Sequence, residues 1–176
     1  MTTRRILIAC LLLTATLYTQ WLSQPAAIQK ALSPTATVEP APKGLTRVSK
    51  VVDGDTIEIE GGARVRYIGV NTPETVHPTK PVECFGKEAS DYNKTLLAGG
   101  YVRLVRDITD TDKYGRLLRY IYLPDGTFVN LKLVVGGYAY ADTYPPDVVH
   151  AKEFVAAQSA ARLAGRGLWA SCPVKK

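Results

Sequence analysis

Histidine and cysteine are scarce in this chain, with two of one and three of the other among 176 residues. His77 and His150 stand far apart and no two cysteines are close together, so a structural zinc site of the usual four-ligand spacing is excluded. So few cysteines also exclude a disulfide-dense mini-protein. Only one long apolar stretch is present, at the N-terminus, which excludes a multi-span channel or transporter. There is no internal repeat. What is there has globular composition, 46% hydrophobic and 22% charged, in a length that suits one domain. Lys and Arg number 22 against 16 Asp and Glu, a net charge of +6. That balance favours polyanionic partners, nucleic acid or anionic membrane surfaces, without specifying a fold.

Arg4 and Arg5 precede an apolar run that begins at Ile6 and continues more weakly to Leu22. A positive start before a short apolar segment is the pattern of a secretory signal. The run is 17 residues long, at the low edge of what spans a bilayer, and lacks a clean small-residue cleavage site. Residues 1–22 therefore read as either a signal peptide or an N-terminal membrane anchor. With the arginines on the cytoplasmic side, both versions place the rest outside the cytoplasm. Residues 23–45 carry Pro25, Pro34, Pro40 and Pro42 among Ala, Ser, Thr and Gln, with no apolar period. Such a segment reads as a semi-extended linker.

Residues 46–176 form the expected domain. Val48, Val51 and Val52 lead to a turn at Asp53-Gly54-Asp55, and Thr56 to Glu60 alternates with period two. Gly61-Gly62 turns into a third strand, Arg64 to Val70. Phe85, Ala89, Tyr92 and Leu96 follow helical spacing up to Gly99-Gly100. Tyr101 to Val105 and Leu117 to Leu123 read as two further strands. Asn130 is the expected cap of a short helix through Val135, and Asp147 of a longer one to about Ala164. Five strands in one curled sheet, with three helices between and after them, give an α+β class. A five-stranded OB-fold barrel is one such solution, with a face and loops that bind nucleic acids.

Asp55 is in phase with Ile57 and Ile59, which directs its carboxylate inward at one strand end. Arg66 is in phase with Ile68 and Val70, which places its guanidinium among core-facing residues. Inward charges are costly unless paired or set at an open mouth, so the two form either a structural ion pair or part of a site. Asn71-Thr72-Pro73-Glu74 leaves the third strand as a stiff turn. With Asp55 it makes an all-oxygen group suited to a hard cation such as Ca²⁺. Taken alone, the turn reads as a solvated one with a surface glutamate. Asp112-Lys113-Tyr114-Gly115-Arg116 is a basic, aromatic turn into the fifth strand, and His77 and His150 read as surface residues.

Taken together, Val52-Asp53-Gly54-Asp55-Thr56, Arg66, Val70-Asn71-Thr72-Pro73-Glu74-Thr75, Glu88-Ala89-Ser90 and Asp112-Lys113-Tyr114-Gly115-Arg116 closely resemble the staphylococcal nuclease family. Order and spacing agree over roughly residues 46 to 171, ending in Gly167-Leu168-Trp169. The resemblance implies an OB-fold nuclease that uses Ca²⁺ to hydrolyse phosphodiesters in DNA and RNA, leaving 3′-phosphate ends. It makes Arg66, Glu74 and Arg116 the catalytic positions. Asp55 and Asn71 become metal-ligand side chains, with Thr72 a ligand through its carbonyl. Lys113, Tyr114 and Tyr144 match residues that hold substrate.

One position departs from the family pattern. Its second metal ligand is usually an aspartate, and Asn71 keeps an oxygen donor but loses a negative charge, which implies weaker Ca²⁺ binding. Cys84 and Cys172, outside the cytoplasm, are either disulfide-bonded or two semi-buried thiols. A bridge would be worth on the order of 4 kcal/mol by loop entropy. The overall expectation is a monomer acting on DNA and RNA, touching the membrane only through its N-terminal segment. An OB-type binding module with weak or lost catalysis is the alternative. A structural envelope domain would leave the oxygen cluster without a purpose.

Overall fold

The computed structural model describes residues 41–76, 79 and 81–173. The leader and the linker up to Pro40 lie outside the described residues, as do His77 and Pro78. Five strands close into a barrel: β1 (Thr46–Val51), β2 (Thr56–Ile59), β3 (Arg64–Tyr67), β5 (Tyr101–Val105) and β6 (Leu117–Tyr122). Around the barrel the order is β1-β2-β3-β6-β5, and β5 pairs back on β1. All these pairings are antiparallel except β3 with β6, which is parallel. This is the OB-type arrangement. Two short strands, β4 (Val70–Asn71) and β7 (Tyr140–Ala141), add a separate antiparallel ribbon. Among the described residues the helices are α1 (Gly86–Leu96), α2 (Val129–Val135), α3 (Ala151–Leu163) and the single turn α4 (Leu168–Ser171), one more than the sequence pattern gives. Among the described residues no helix is long and apolar enough to cross a membrane.

The β2–β3 hairpin turns through the three-residue loop Glu60-Gly61-Gly62, closed by the Ile59 amide donating to the Ala63 carbonyl, and Gly61 and Gly62 supply the positive φ values of 91° and 83° that it needs. Alternation then fills the barrel. Ile57, Val65, Tyr67, Val102 and Ile121 point inward, and Val129, Leu133, Val134 and Phe154 close it from the helices. The expected third strand breaks after Tyr67, because Gly69 turns the chain at φ 77°. A Cβ at Gly69 would collide with the Phe154 ring, so the turn is pressed against α3.

That break corrects the placement of Arg66. Val65 and Tyr67 are the core-facing residues of β3, and Arg66 lies between them on the outer face. Ile68 and Val70 are buried too, but only because the turn changes the phase.

Two expected caps are also corrected. Asn130 lies inside α2, whose N-cap is Phe128. It is fully buried, accepting the Ile121 amide at 2.9 Å and donating to the Ile68 carbonyl at 2.9 Å. Asp147 precedes α3 without capping it, since His150 holds that place. Its carboxylate instead accepts the amides of Ile108 and Thr109 at 2.9 and 2.8 Å. A long-range partner that satisfies a buried donor displaces the local cap in both cases. His150 is half-buried: one side of its ring packs on Tyr120 and Phe128, with ring centroids 4.7 Å away in each case, and its Nδ1 meets Glu153 at 2.9 Å on the surface. Cys84 and Cys172 are joined by a disulfide, with Cα atoms 5.9 Å apart, tying the start of α1 to the end of α4.

Candidate active site

Register places three strands side by side at Arg66. On β2 its partner is Thr56, and on β6 it is Leu118. Asp55 therefore sits one residue before one neighbour, and Arg116 two residues before the other. Asn71 follows five residues after Arg66, brought back by the Gly69 turn and held by β7. Residues remote in sequence thus line one polar recess of about 200 Å³, formed by Asp53, Asp55, Thr56, Arg66, Asn71, Thr72, Pro73, Glu74 and Arg116.

Asp55 is only 5% exposed. Its Oδ2 accepts the Thr72 amide at 2.7 Å and lies 3.2 Å from an Arg66 Nη2, and its Oδ1 accepts the Thr56 hydroxyl at 3.2 Å. The same Arg66 Nη2 donates to Asn71 Oδ1 at 3.1 Å, while Nη1 donates to the carbonyls of Tyr67 and Val70. The guanidinium is held rigidly by these acceptors, and Gly54 lets the Asp55 turn sit close to Thr72: a Cβ there would strike that side chain. Asp53, behind Asp55, accepts the Asp55 amide at 3.0 Å. Burial, and then the neighbouring Asp55 carboxylate, push its pKa up to about 6.

Glu74 turns its Oε1 to the amides of Thr75 and Val76 at 2.9 and 2.8 Å. Glu83 braces the same turn by accepting the Glu74 amide and donating its own amide to the Glu74 carbonyl. Across the recess, the Asp112 loop is a tight turn. Asp112 Oδ1 accepts the amides of Tyr114 and Arg116, and Oδ2 accepts Arg116 Nε at 2.7 Å. Burial works against the Asp112 charge, yet these Arg116 and Tyr114 hydrogen bonds hold its carboxyl below the usual range. Arg116 is thereby fixed with its terminal nitrogens left to point elsewhere. The Tyr114 ring, 72% exposed, lies within 5.0 Å of Lys113 Nζ and 5.4 Å of the Arg116 guanidinium carbon.

Beside the recess runs a larger cleft of about 620 Å³, sharing Arg66 and Arg116 and bounded by Lys113, Tyr114, Asp142 and Tyr144. Its floor includes Ile68, Val70 and Leu118. Tyr144 is 69% exposed, and the Asp142 charge, with a hydrogen bond to Asp142, pushes its hydroxyl pKa up.

All nine candidate residues therefore lie on this one surface: Asp55, Arg66, Asn71, Thr72, Glu74 and Arg116 in the recess, and Lys113, Tyr114 and Tyr144 along the cleft. Sequence reasoning passed over Asp53, although its place two residues before Asp55 was a signal. It also passed over Asp142, which nothing local marks. Among the described residues no three His, Cys, Asp or Glu side chains form a metal-holding group. The donors that are present, a carboxylate, an amide oxygen and a neighbouring carbonyl, are all oxygen and fit a hard divalent cation.

The family model described as staphylococcal nuclease homologue matches residues 64–171. A thermonuclease of Staphylococcus intermedius is 50% identical over 103 residues, covering 57% of this chain and 61% of that protein. A thermonuclease of Staphylococcus hyicus is 40% identical over 128 residues, 71% of this chain and 75% of that one. Endonuclease YhcR of Bacillus subtilis is 40% identical over 136 residues, covering 69% of this chain and 11% of its own length. The matched region is thus less than two thirds of the first of these relatives and a small part of the last.

Proposed function

Because the chain belongs to the staphylococcal nuclease family, we propose that it is an exported, calcium-dependent nuclease that hydrolyses phosphodiester bonds in DNA and RNA, leaving 3′-phosphate ends. The observation that carries this reading is the convergence of Arg66, Arg116 and Glu74 on one recess with Asp55 and Asn71. A binding surface needs positive charge, but not a carboxylate such as Glu74 set among it.

A phosphodiester anion repels an incoming hydroxide, and its five-coordinate transition state gathers more charge on the phosphoryl oxygens. Arg66 and Arg116 clamp those oxygens with planar, two-pronged donors that a lysine does not reproduce. Both are pre-set by acidic or carbonyl acceptors, so little reorganisation accompanies the reaction. Glu74 orients the attacking water and receives its proton as general base. Attack forms the bond from phosphorus to the water oxygen and breaks the bond to the 5′ oxygen, which takes a proton from solvent as it leaves, and the phosphate stays on the 3′ side. Asp55, Asn71 and the Thr72 carbonyl hold the cation, which supplies, when bound, neutralisation of phosphate charge and polarisation of water. Lys113 and Tyr114 steady the flanking phosphates and nucleotide.

Export is supported by the Arg4-Arg5 start with its apolar run and by the Cys84–Cys172 bond, which belongs to an oxidising compartment. The domain works as a monomer, with the membrane met only through the N-terminal segment. The test is incubation of the full chain with single-stranded DNA and RNA in Ca²⁺, in Mg²⁺ and in excess chelator, beside Glu74→Gln. Cleavage in Ca²⁺ that disappears with chelator and with the variant, and leaves phosphatase-sensitive 3′ ends, upholds the reading. Salt-sensitive binding without cleavage would make the domain a nucleic-acid-binding module.

A further inference from the structure

A cleft that receives a polyanion has little use for carboxylates, yet three line this one: Asp112, Asp142 and Asp147. Two are committed to the fold. Asp112 holds Arg116 and two main-chain amides, and Asp147 holds the amides of Ile108 and Thr109. Asp142 is different. Its amide donates to the Gly69 carbonyl at 2.9 Å, which fixes it at the end of β7 on the cleft wall. Its carboxylate is half-buried and lines the cleft with Tyr144, whose exposed ring stands at the cleft mouth and whose hydroxyl pKa is raised by the Asp142 charge.

Resting on the nuclease reading, we propose that Asp142 selects guanine at the nucleotide seated in this cleft. A carboxylate is an acceptor with two oxygens in one plane. Guanine presents two adjacent donors, N1–H and the N2 amino group, at the spacing those oxygens need. Adenine and cytosine place a ring acceptor beside their amino group, and thymine and uracil flank a single N–H with two carbonyls. Each of these sets a lone pair against the carboxylate. The base edge must be free, so the selected substrate is single-stranded. Tyr144 supplies a ring for stacking, as aromatic platforms do for unpaired bases. The negative charge sorts the substrate at the same time. Phosphates are drawn to the Arg66, Arg116 and Lys113 side, and the base is turned to the Asp142 side.

The test compares the five-mers dTTGTT and dTTTTT. Binding is read by fluorescence anisotropy of the full chain in chelator, and cut positions are mapped on a mixed-sequence single strand in Ca²⁺. The expected result is roughly tenfold tighter binding of dTTGTT, the scale of a two-point base contact, with cuts concentrated beside guanine. Replacing that guanine by hypoxanthine, which lacks the N2 amino group, removes most of the difference. Asp142→Asn, nearly the same shape, collapses the preference, while Tyr144→Phe keeps it because the ring and the Asp142 carboxylate both remain. Equal binding of the two five-mers by the native chain overturns the proposal, as does a preference that survives in Asp142→Asn. Guanine-selective binding without any cleavage would uphold the base contact and reject the nuclease reading, so the two failures are told apart.

Discussion

Asn93, Asn130 and Asp147 are as deeply buried as Asp55, but the company they keep is different. Asn93 receives the Tyr67 hydroxyl and donates to the Asp53 carbonyl, and Asn130 bridges Ile121 and Ile68. Asp147 gathers two successive amides. These are neutral or main-chain partners with matched donors and acceptors, and they join elements far apart in sequence. Around Asp55 the partners are themselves charged or ligand-facing. Arg66 touches both Asp55 and Asn71, Asp53 crowds in behind, and the group opens to solvent between Glu74 and Arg116. A buried polar group satisfied by backbone locks the fold. Charges facing one another across an open recess store the electrostatics that a charged substrate completes.

The comparison can be broken most directly at Arg116. Arg116→Lys is expected to lower kcat/KM roughly 10²–10³-fold, the scale for removing a pre-set donor to a transition-state oxygen, with a melting temperature close to native. A large loss of stability with retained turnover would place Arg116 among the structural groups instead. The opposite substitution is Asn130→Ala. It strands the Ile121 amide and the Ile68 carbonyl inside the barrel and should cost about 2–4 kcal/mol in denaturant unfolding, while folded molecules keep most of their activity.

A smaller effect sharpens the contrast within the recess. Asn71→Asp restores a negative charge to the proposed cation site and should lower the Ca²⁺ concentration for half-maximal activity about tenfold. An unchanged calcium titration would remove Asn71 from the ligand set. The smallest effect belongs to the exposed surface of α1, where Lys87 and Lys94 flank Asp91 at 2.6 and 2.8 Å. Hydrogen bonds from Lys87 and then Lys94 lower the Asp91 pKa to about 2 from an ordinary 3.8. A carboxyl depressed by folding adds stability above its ordinary pKa and loses it as pH falls through the lowered one. The melting difference between native chain and Asp91→Asn should therefore be slight at pH 5, shrink as the pH falls below 3.8 and vanish only below pH 2. A difference constant across that range would mean that the pair does not act through charge.

Most of the strands and the α1 helix were legible because their signals are local. Thr56 to Ile59 alternates, Gly61-Gly62 can only turn, and Phe85 to Leu96 keeps a helical period. The errors share a cause. Alternation over Arg64 to Val70 as one strand puts Arg66 on the inner face, whereas the Gly69 turn, pressed on Phe154, reverses the phase. Asn130 and Asp147 have the local chemistry of caps. Their actual partners are 9 to 62 residues away. Asp142 carried no signal at all, since its place on the cleft comes from the pairing of β4 with β7 and from the Gly69 carbonyl.

The class of the domain, its basic charge and the residue types of the site are written locally, because alternation, turn residues and rare motifs act over a few positions. Which of those groups meet depends on the closed fold. The parallel β3–β6 pairing carries Arg116 to Arg66, and the turn at Gly69 returns Asn71 to Asp55. Electrostatic and hydrogen-bond energies depend on separation in space, and closing the barrel is what converts distant positions in the chain into separations of about 3 Å.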